Sequence, residues 1–477
     1  MYSTRFQSEL KKALDSLSIV KFGGSLIDYA GTNVPLIVQR ISELKKKNGK
    51  GPVAVFSAPN GVTNKLQAIG EAKATDRPYD VDRIFSSYLE LASRSIKKKD
   101  TLAEFNRHCN QYKSDFEDAL SKVDKRFNDS LRARILTIGG ETLTAILMSC
   151  VLNSEGLSSC TLDKENWPIV TDDDFDNATP DLELSTKNLP YLLNRIEERK
   201  IISVGGFMGV THDGLETLLG RGGSDQTAVF LSLLLRDRYE IETILFKETP
   251  VQSADPSLVK EQELARVQVM TYNEAQKATI SGMTIVQNAA VRIAKSHKLP
   301  IIVAPLANPT LRTMIQTEDS TPQAVKCVTG LKDCAIITMN NEKSRSLEDC
   351  LVFWEDYDGF LDLGSEVMDT GQVLRDFLIL DAKFVRKNEE RLRSFDKAMK
   401  IEYGLGTVTV VGDKMRDTPG VASIAINAIP RTNIKRGVLA PHTSQIILIV
   451  DEKDVAEAIK DMHAQLAKKG LVSDKRG

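Results

Sequence analysis

Histidine, tryptophan and cysteine are scarce in this sequence. Its 477 residues include 5 His, 2 Trp and 6 Cys. The cysteines form no C-x-x-C pair, and none is spaced with histidine as in a zinc site. We therefore expect free, buried thiols in a reducing compartment and no metal centre built by the protein alone.

Long apolar runs and an excess of charge are also absent. No window approaches the ~18 apolar residues of a membrane span, and the first residues lack the apolar core of a signal peptide. The formal net charge is −2, and the lysine triplets at 45–47 and 97–99 suit solvated helix ends. These features disfavour membrane and nucleic-acid partners and predict a cytoplasmic protein.

Several widespread catalytic motifs are missing. The sequence has no Walker A loop, no G-x-G-x-x-G fingerprint, no H-R-D or D-F-G, no H-E-x-x-H and no G-x-S-x-G. What remains is a set of glycine-containing loops that carry lysine and arginine. Such a set suits phosphoryl transfer, in which catalysis consists mainly of positioning and charge neutralisation.

The hydrophobic pattern predicts a parallel sheet in the first part of the chain. Residues 18–22 and 52–57 are mostly apolar, and residues 34–47 between them show helical spacing with Pro35 in the first turn. Strands joined by a helix lie parallel in one sheet. Further strands are predicted at 201–204, 243–246 and 301–306, and a helical insertion at 80–135.

The pattern changes near residue 320. Strands at 407–411 and 445–450, with helices opening near 418–421 and at 454–466, predict a β-α-β-β-α module. Residues 326–400 look like a looser copy of it. The tail is therefore predicted to be a separate, ferredoxin-like regulatory part.

The stretch from 205 to 228 reads GGFMGVTHDGLETLLGRGGSDQTA and organises the first part of the chain. The apolar residues before it, at 201–204, predict a strand that ends at the two glycines. The stretch itself predicts a hairpin around His212-Asp213-Gly214, a glycine-rich loop and the start of a buried helix at 226–236. Glycines before a helix let the backbone N–H groups approach an anion, and Arg221 adds a fork for carboxylate or phosphate. The alternative is a tight turn in which Ser224 or Asp225 caps the helix.

Three other glycine loops follow a strand or open a helix: KFGGS at 21–25, SAPNGVTN at 57–64 and GGE at 139–141. Ligand sites of open parallel sheets gather at the carboxyl ends of the strands, so these loops are expected to share one crevice. Lys21 abuts two glycines and is a candidate phosphate ligand, although a solvated lysine is the alternative. Glu141 is either functional or a charge favoured by the helix dipole.

Together these motifs resemble the aspartate kinases of the amino-acid kinase superfamily. LGRGGSDQTA at 219–228 and SADP at 253–256 carry the resemblance further, and VVGDKMRDTPGVAS at 410–423 with TNI at 432–434 resembles ACT modules. The resemblance implies a three-layer α/β kinase domain with a mainly parallel sheet over 1–320. A divergent ACT unit at 321–400 and a second at 401–477 would follow.

In that family MgATP phosphorylates the β-carboxylate of L-aspartate to 4-phospho-L-aspartate, the first step of lysine, threonine and methionine synthesis. By resemblance, Lys21 is catalytic and Asp225 orients it, while Glu141 pairs with the substrate ammonium and Arg221 with its α-carboxylate. The remaining substrate-binding positions would be Ser57, Thr63, Gly222, Gly223 and Ser224. The remaining phosphate- and nucleotide-binding positions would be Gly23, Gly24, Ser25, Lys247, Glu248, Ser253 and Asp255, with Mg²⁺ arriving on ATP.

The chain departs from the family pattern at two places that concern the nucleotide. The family loop commonly reads T-D-V-x-G-I-x-T-x-D-P-R, whereas this chain reads KETPVQSADPS without the glycine and the final arginine. Many members read F-G-A-K-V-L-H-P where this chain has SGMTIVQN at 281–288. These departures leave two alternatives open: a relative that phosphorylates another acid such as glutamate, and a non-catalytic amino-acid sensor.

The ACT-like tail predicts a homodimer or larger homo-oligomer and an amino-acid effector. The second unit has a Thr418-Pro419-Gly420 loop at a helix start, where N–H groups would bind an effector carboxylate. The corresponding stretch of the first unit, 340–346, lacks glycine and carries Glu342. We therefore expect weak or absent feedback inhibition by lysine or threonine; the alternative is that both units serve only to dimerise.

Overall fold

The computed structural model describes residues 14–220, 222–354, 359–440 and 443–472. Their contacts form two compact units: unit 1 holds the described residues of Met1–Pro250 and Ala289–Thr317, and unit 2 those of Val251–Asn288 and Glu318–Gly477. The division after Thr317 lies near the predicted boundary at 320. Val251–Asn288 differs, since the sequence placed it in the kinase domain, whereas it packs with the C-terminal residues.

Elements are numbered along the whole chain. The strands of unit 1 are β1 (Ser16–Phe22), β2 (Val53–Phe56), β3 (Ser159–Thr161), β4 (Val170–Thr171), β5 (Ile201–Gly205), β6 (Met208–Thr211), β7 (Glu216–Leu218), β8 (Glu240–Lys247), β10 (Ile301–Pro305) and β11 (Thr313–Gln316). Its helices are α1 (Val34–Asn48), α2 (Val62–Ala74), α3 (Asp82–Ser95), α4 (Lys99–Ser121), α5 (Asp129–Thr137), α6 (Leu143–Ser154), α7 (Leu182–Lys187), α8 (Pro190–Glu197), α9 (Gly223–Leu235) and α11 (Asn288–His297).

The elements of unit 2 are β9 (Val269–Thr271), α10 (Tyr272–Ile280), β12 (Cys327–Asn340), α12 (Asn341–Trp354), β13 (Phe360–Val367), β14 (Val373–Ile379), α13 (Ala382–Phe395), β15 (Lys400–Val411), α14 (Val421–Asn427), β16 (Arg436–Ala440), β17 (Gln445–Asp451) and α15 (Val455–Lys468).

The central sheet of unit 1 is mainly parallel, as predicted. Its strands follow the order β3-β5-β2-β1-β8-β10-β11, and all of these pairs are parallel except β10 with β11. The sequence did not indicate β11, because its four residues, TMIQ, are too short to show a clear period. A second sheet, β4-β6-β7, contains the predicted hairpin, whose turn is His212-Asp213-Gly214.

The predicted helical insertion is present as α3, α4 and α5. A π-helical turn over Ile138–Thr142 continues α5 into α6. Contrary to the expectation that no window approaches a membrane span, the combined helical stretch Asp129–Ser154 is long and apolar enough to cross a membrane. However, 94% of its most apolar window is buried inside the protein. It therefore has the character of a core helix, and its apolar side chains form much of the core beside β5 and β2.

Unit 2 contains the two predicted β-α-β-β-α modules in one antiparallel sheet of order β13-β14-β12-β15-β17-β16. In the first module, α12 and α13 pack on β12 and β14 through Leu347, Val385 and Phe377. In the second, α14 and α15 pack on β15 and β17 through Ala425, Met462 and Leu448. This pairing of modules agrees with the predicted ferredoxin-like tail.

Candidate active site

Four neighbouring strands deliver the glycine loops to one edge of the sheet. β5, β2, β1 and β8 are parallel neighbours, so the loops after Gly205, Phe56, Phe22 and Lys247 emerge at the same edge. Backbone hydrogen bonds continue beyond the strands, from Ser57 N to Phe22 O at 3.1 Å and from Gly206 N to Phe56 O at 2.8 Å. The crevice expected at the carboxyl ends is thus formed from these loops.

Stacked aromatic rings pack together at this edge of the sheet. Phe22 lies 5.3 Å from Phe56 and 5.1 Å from Phe246, centroid to centroid, with nearly parallel rings. All three side chains are buried. Each ring lies at the end of a strand that leads into one of these loops. The stacking of the rings therefore fixes the positions of the three strand ends relative to one another.

The loop after β1 has glycine where other residues would collide. A β-carbon on Gly24 would lie 2.4 Å from the carbonyl oxygen of Ala58, and Asn60 N donates to Gly24 O at 3.1 Å. A β-carbon on Gly23 would lie 3.3 Å from Lys21 Nζ. The two glycines therefore allow the loops after β1 and β2 to touch and leave space beside the Lys21 ammonium.

Helix α9 starts at a glycine and not at a side-chain cap. Its N-cap, Gly222, has φ of 72°, in the left-handed region, and makes no side-chain capping bond. The alternative in which Ser224 or Asp225 caps the helix is therefore wrong, because both lie inside the first turn. A β-carbon on Gly206 would lie 2.5 Å from Ser224, so the loop after β5 packs directly against this turn.

Asp225 joins two lysines at the sheet edge. Lys21 Nζ lies 2.8 Å from one carboxylate oxygen and Lys247 Nζ 3.7 Å from the other. Lys21 and Asp225 are both buried. Burial lowers the pKa of Lys247, an effect that Asp225 opposes and Lys21 reinforces. Two lysine ammonium groups therefore face one carboxylate, with Glu248 as a further charge close to Lys247. Fixed ammonium groups of this kind suit the binding of a polyphosphate.

Glu141 is a buried carboxylate with unused acceptor capacity. Its Oε1 accepts from Ala58 N at 3.3 Å, and its Oε2 has no hydrogen-bond partner among the described residues. Burial raises the pKa of Glu141 to about 7. A buried carboxylate without a cation is costly unless a ligand supplies one, so Glu141 is suited to bind an ammonium group. This favours its functional interpretation over a helix-dipole charge.

Known proteins match both parts of the chain. A model of the amino acid kinase family matches residues 16–305, which is more than half of the chain. The chain belongs to the amino acid kinase family. A second model, of the ACT domain, matches residues 408–466.

Among individual relatives of this amino acid kinase is an aspartokinase of Helicobacter pylori, 26% identical over 69% of this chain and 82% of that protein. The bifunctional aspartokinase/homoserine dehydrogenase 2 of Arabidopsis thaliana is 24% identical over 94% of this chain, which spans 50% of that relative's length. The crystal structure of E. coli aspartokinase III with aspartate and ADP superposes with a TM-score of 0.76. The superposition covers 95% of this chain and 100% of the aspartokinase III chain, at 19% sequence identity. The two chains therefore share a fold.

The kinase site contains features that the sequence did not reveal. Phe207, directly after the glycine pair, has φ of 69°, which is strained for a residue with a side chain. Its N–H donates to Thr227 Oγ1 at 3.0 Å, and its carbonyl accepts from Leu219 N at 2.9 Å. Hydrogen bonds to both backbone polar groups therefore stabilise Phe207 in this conformation. Tyr88 of the insertion donates to Gly140 O at 3.0 Å, next to Glu141. The sequence predicts only a helical insertion around Tyr88 and gives no sign of this bond.

The structure does not bring every predicted position of this kinase to the site. Ser253 and Asp255 belong to unit 2; Ser253 is fully buried there, and Asp255 Oδ1 accepts from Ser257 N in a local turn. The polar groups of Ser253 are bonded within unit 2, which does not favour its expected nucleotide contact, whereas the contact expected of Asp255 stays a prediction. Ser25 and Glu248 lie exposed beside the edge. Arg221 lies outside the described residues.

Proposed function

We propose that this chain is an aspartate kinase, which transfers the γ-phosphoryl group of ATP to the β-carboxylate of L-aspartate and forms 4-phospho-L-aspartate. The observation that carries the proposal is the Lys21–Asp225–Lys247 cluster at the sheet edge where Glu141 also lies, a buried carboxylate whose Oε2 has no hydrogen-bond partner among the described residues. The aspartokinase relatives support the choice of aspartate among amino acids.

The cluster suits a reaction between two anions. The acceptor carboxylate is already ionised at pH 7, so no general base is needed. The barrier comes from bringing that carboxylate to a triphosphate, and fixed ammonium groups at the end of β1 and β8 reduce it. Asp225 holds Lys21 and Lys247 in place, so the positive charge is present before substrates bind.

Mg²⁺ fits this site as a companion of ATP. Among the described residues, no group of three or more His, Cys, Asp and Glu side chains is placed to hold a metal ion. Both carboxylate oxygens of Asp225 face lysines, at 2.8 and 3.7 Å. Mg²⁺ commonly retains several waters and binds through substrate phosphates, so a site poor in protein ligands accommodates it. The ion would shield the phosphate oxygens, while the lysines bind and orient them.

Aspartate recognition follows from the loops around Glu141. Glu141 would bind the α-ammonium group. Ser57, in the loop after β2, and Thr63, in the first turn of α2, are both half-buried and would hold the substrate. Arg221 would bind the α-carboxylate. The first turn of α9, with Gly222, Gly223 and Ser224, would form the floor.

We expect the KM for aspartate to rise as the pH falls below about 7. The pKa of Glu141 in the free protein is raised from 4.5 to about 7, so below that pH the side chain is protonated and does not attract an ammonium group. The KM should rise by close to tenfold per pH unit, while the KM for ATP changes less. Initial rates between pH 5.5 and 8.5 test this. An aspartate KM that is flat down to pH 5.5 would exclude Glu141 as the ammonium ligand.

Arg221→Ala should mainly weaken aspartate binding. A substrate carboxylate that loses its buried charged partner loses roughly 2–5 kcal/mol. The KM for ATP should stay within about threefold, since the Lys21–Asp225–Lys247 cluster is unchanged. Steady-state kinetics with each substrate varied in turn separate the two effects. If the ATP constant moves and the aspartate constant does not, Arg221 is a phosphate ligand.

For unit 2 we propose a role in joining subunits, with weak or absent inhibition by lysine and threonine. In the first module, the stretch 340–346 begins α12 with Glu342 in its first turn, where a negative charge opposes an effector carboxylate. Calorimetric titration with each amino acid, beside activity assays and sedimentation, tests both parts. Inhibition at sub-millimolar lysine or threonine, or a monomeric full-length protein, would contradict them. We further propose that the protein acts in the cytoplasm and catalyses the first step of lysine, threonine and methionine synthesis.

ADP release by purified protein, MgATP and a panel of amino acids tests the catalytic proposal. Aspartate should be the only amino acid that stimulates release strongly. Stimulation by glutamate or another acid would instead identify a related amino-acid kinase. Binding of amino acids without any ADP release would identify a non-catalytic sensor.

A further inference from the structure

Unit 1 contains a cavity that the proposed kinase reaction does not use. Its volume is about 310 Å³, at the lower end of the range of about 300–1,000 Å³ that is usual for ligand pockets. It is lined by residues of α4, α5, α6, the segment after β3, and the strands β5, β6 and β7. It therefore has room for a small molecule of amino-acid size.

The cavity and the proposed substrate site lie on opposite sides of one wall. Ile138 and Thr142 of the π-helical turn line the cavity. Glu141, between them in the chain, does not line it and instead accepts from Ala58 N. Gly205 completes the wall, since a β-carbon there would lie 2.9 Å from the carbonyl carbon of Glu141. A molecule in the cavity therefore lies behind Glu141 and not in the aspartate site.

Charges of both signs face one another in this cavity. Arg134 Nη1 and Lys164 Nζ each lie 3.6 Å from Oε1 of Glu216, and all three side chains line the cavity. Glu216 is buried, yet no described residue donates a hydrogen bond to its carboxylate. A buried carboxylate is costly without such donors, so Glu216 is suited to a ligand that supplies them.

Tyr112 adds a hydroxyl that is free to bind a ligand. It lines the cavity and makes no hydrogen bond with the described residues. Burial raises its pKa to about 12, and the charges of Asp163, Asp115 and Glu165 act in the same direction. The hydroxyl therefore keeps its proton and can donate it to a ligand. The same three carboxylates line the cavity and disfavour a ligand that carries only negative charge.

Most of the remaining wall is apolar. Trp167 Nε1 already donates to Met208 O at 3.2 Å, and Ser203 Oγ donates to Ala145 O at 2.7 Å, so these polar groups are not available to a ligand. An apolar group of a ligand would be removed from water against this wall. The buried apolar side chains that line the cavity are those of Ile138, Ala145, Ile146, Leu162, Trp167 and Met208.

We propose that this cavity binds an α-amino acid with an apolar side chain. The carboxylate of the ligand pairs with Arg134 and Lys164, and its ammonium group pairs with Glu216. Its side chain lies on the apolar wall. A ligand with one charge matches the cavity less well, because an anion meets Glu216 and a cation meets Arg134 and Lys164. The site is separate from the one proposed for aspartate, and its occupation does not require phosphoryl transfer.

Calorimetric titration of the full-length protein with L-leucine, L-methionine and L-phenylalanine tests the proposal. At least one of the three should bind. Its analogues without the amino group or without the carboxyl group should bind about tenfold more weakly or worse, since each loses one charged contact. For leucine these are 4-methylpentanoate and 3-methylbutylamine. Saturating L-aspartate should leave the dissociation constant within about twofold, because it occupies the other side of the wall.

Glu216→Gln and Lys164→Met should each raise the dissociation constant of that amino acid about tenfold or more. Glutamine keeps the shape of Glu216, and Lys164 is exposed, so both variants should fold. Lys187→Met is the matched control. Lys187 also pairs with a carboxylate, Glu183 at 2.7 Å, but it does not line the cavity, so the affinity should be unchanged.

Four results would overturn the proposal: no binding of any of the three amino acids, equal affinity of either analogue, displacement by aspartate, or unchanged affinity in the folded Glu216→Gln and Lys164→Met variants. Calorimetry needs no turnover. A wild-type protein that binds the amino acid but does not phosphorylate aspartate would therefore contradict only the proposed function.

Discussion

Lys21→Ala should lower kcat by about 10²–10³, the usual loss for one fixed group that stabilises transition-state charge. Lys21 is buried, its ammonium lies beside Gly23, and Asp225 holds it at 2.8 Å. The variant should fold, because Lys247 remains to balance Asp225. The KM for aspartate should change little. Initial rates at saturating ATP and aspartate measure the effect.

Lys50→Ala is the matched control for a buried lysine. Lys50 is also buried, and its ammonium lies 2.7 Å from Glu197, but it precedes β2 and so lies at the opposite edge of the sheet. Its kcat should remain within about twofold, since no reacting group is near. A folded Lys21→Ala protein with near-normal kcat would remove Lys21 from the mechanism.

Glu141→Gln should weaken aspartate binding by about a hundredfold or more and yet stabilise the fold at alkaline pH. The raised pKa, about 7 against 4.5, means that the folded state favours the protonated carboxyl. Stability therefore falls as the pH rises from about 4.5 to 7, and the cost above pH 7 is about 3 kcal/mol. Glutamine does not ionise, so the variant avoids this cost. The free energy of unfolding of Glu141→Gln, relative to the wild type, should therefore rise by up to about 3 kcal/mol between pH 5 and pH 8. Denaturant unfolding at both pH values measures it.

Glu274→Gln separates the two effects. Glu274 is a buried carboxylate of unit 2 whose pKa is likewise raised to about 7 by burial, and backbone N–H groups of Asp413 and Thr271 bind it at 2.8 Å. The stability of Glu274→Gln relative to the wild type should likewise increase as the pH rises from 5 to 8. Its KM for aspartate should stay within about twofold of the wild-type value. If both variants weaken aspartate binding alike, the loss at Glu141 reflects general destabilisation and not an ammonium contact.

The sequence predicted the frame of the site because that frame depends on local patterns. Apolar strands ending in glycine, such as the one before Gly23 and Gly24, reveal both a parallel sheet and the edge at which its loops meet. The hairpin turn at His212-Asp213-Gly214 and the two tail modules were likewise visible from turn residues and periodicity.

The sequence could not reveal contacts between distant segments. Nothing near Lys247 shows that its ammonium shares Asp225 with Lys21, and nothing near Ser253 shows that His463 binds it. The strained backbone of Phe207 is set by its partners Thr227 and Leu219, which only the folded chain brings close. Motif order places residues 251–288 in the kinase domain, and the amino acid kinase model over residues 16–305 includes them; only the folded chain shows that Ser253 of this segment bonds to β12 and α15 in unit 2.

Trapping of the product with hydroxylamine tests the central claim most directly. An acyl phosphate formed on a side-chain carboxylate reacts to a hydroxamate, whose position mass spectrometry can assign. Purified protein with MgATP, L-aspartate and hydroxylamine should give aspartate β-hydroxamate in an amount equal to the ADP released, and Lys21→Ala should reduce both together. ADP release without hydroxamate, or a hydroxamate formed from another amino acid and not from aspartate, would contradict the account.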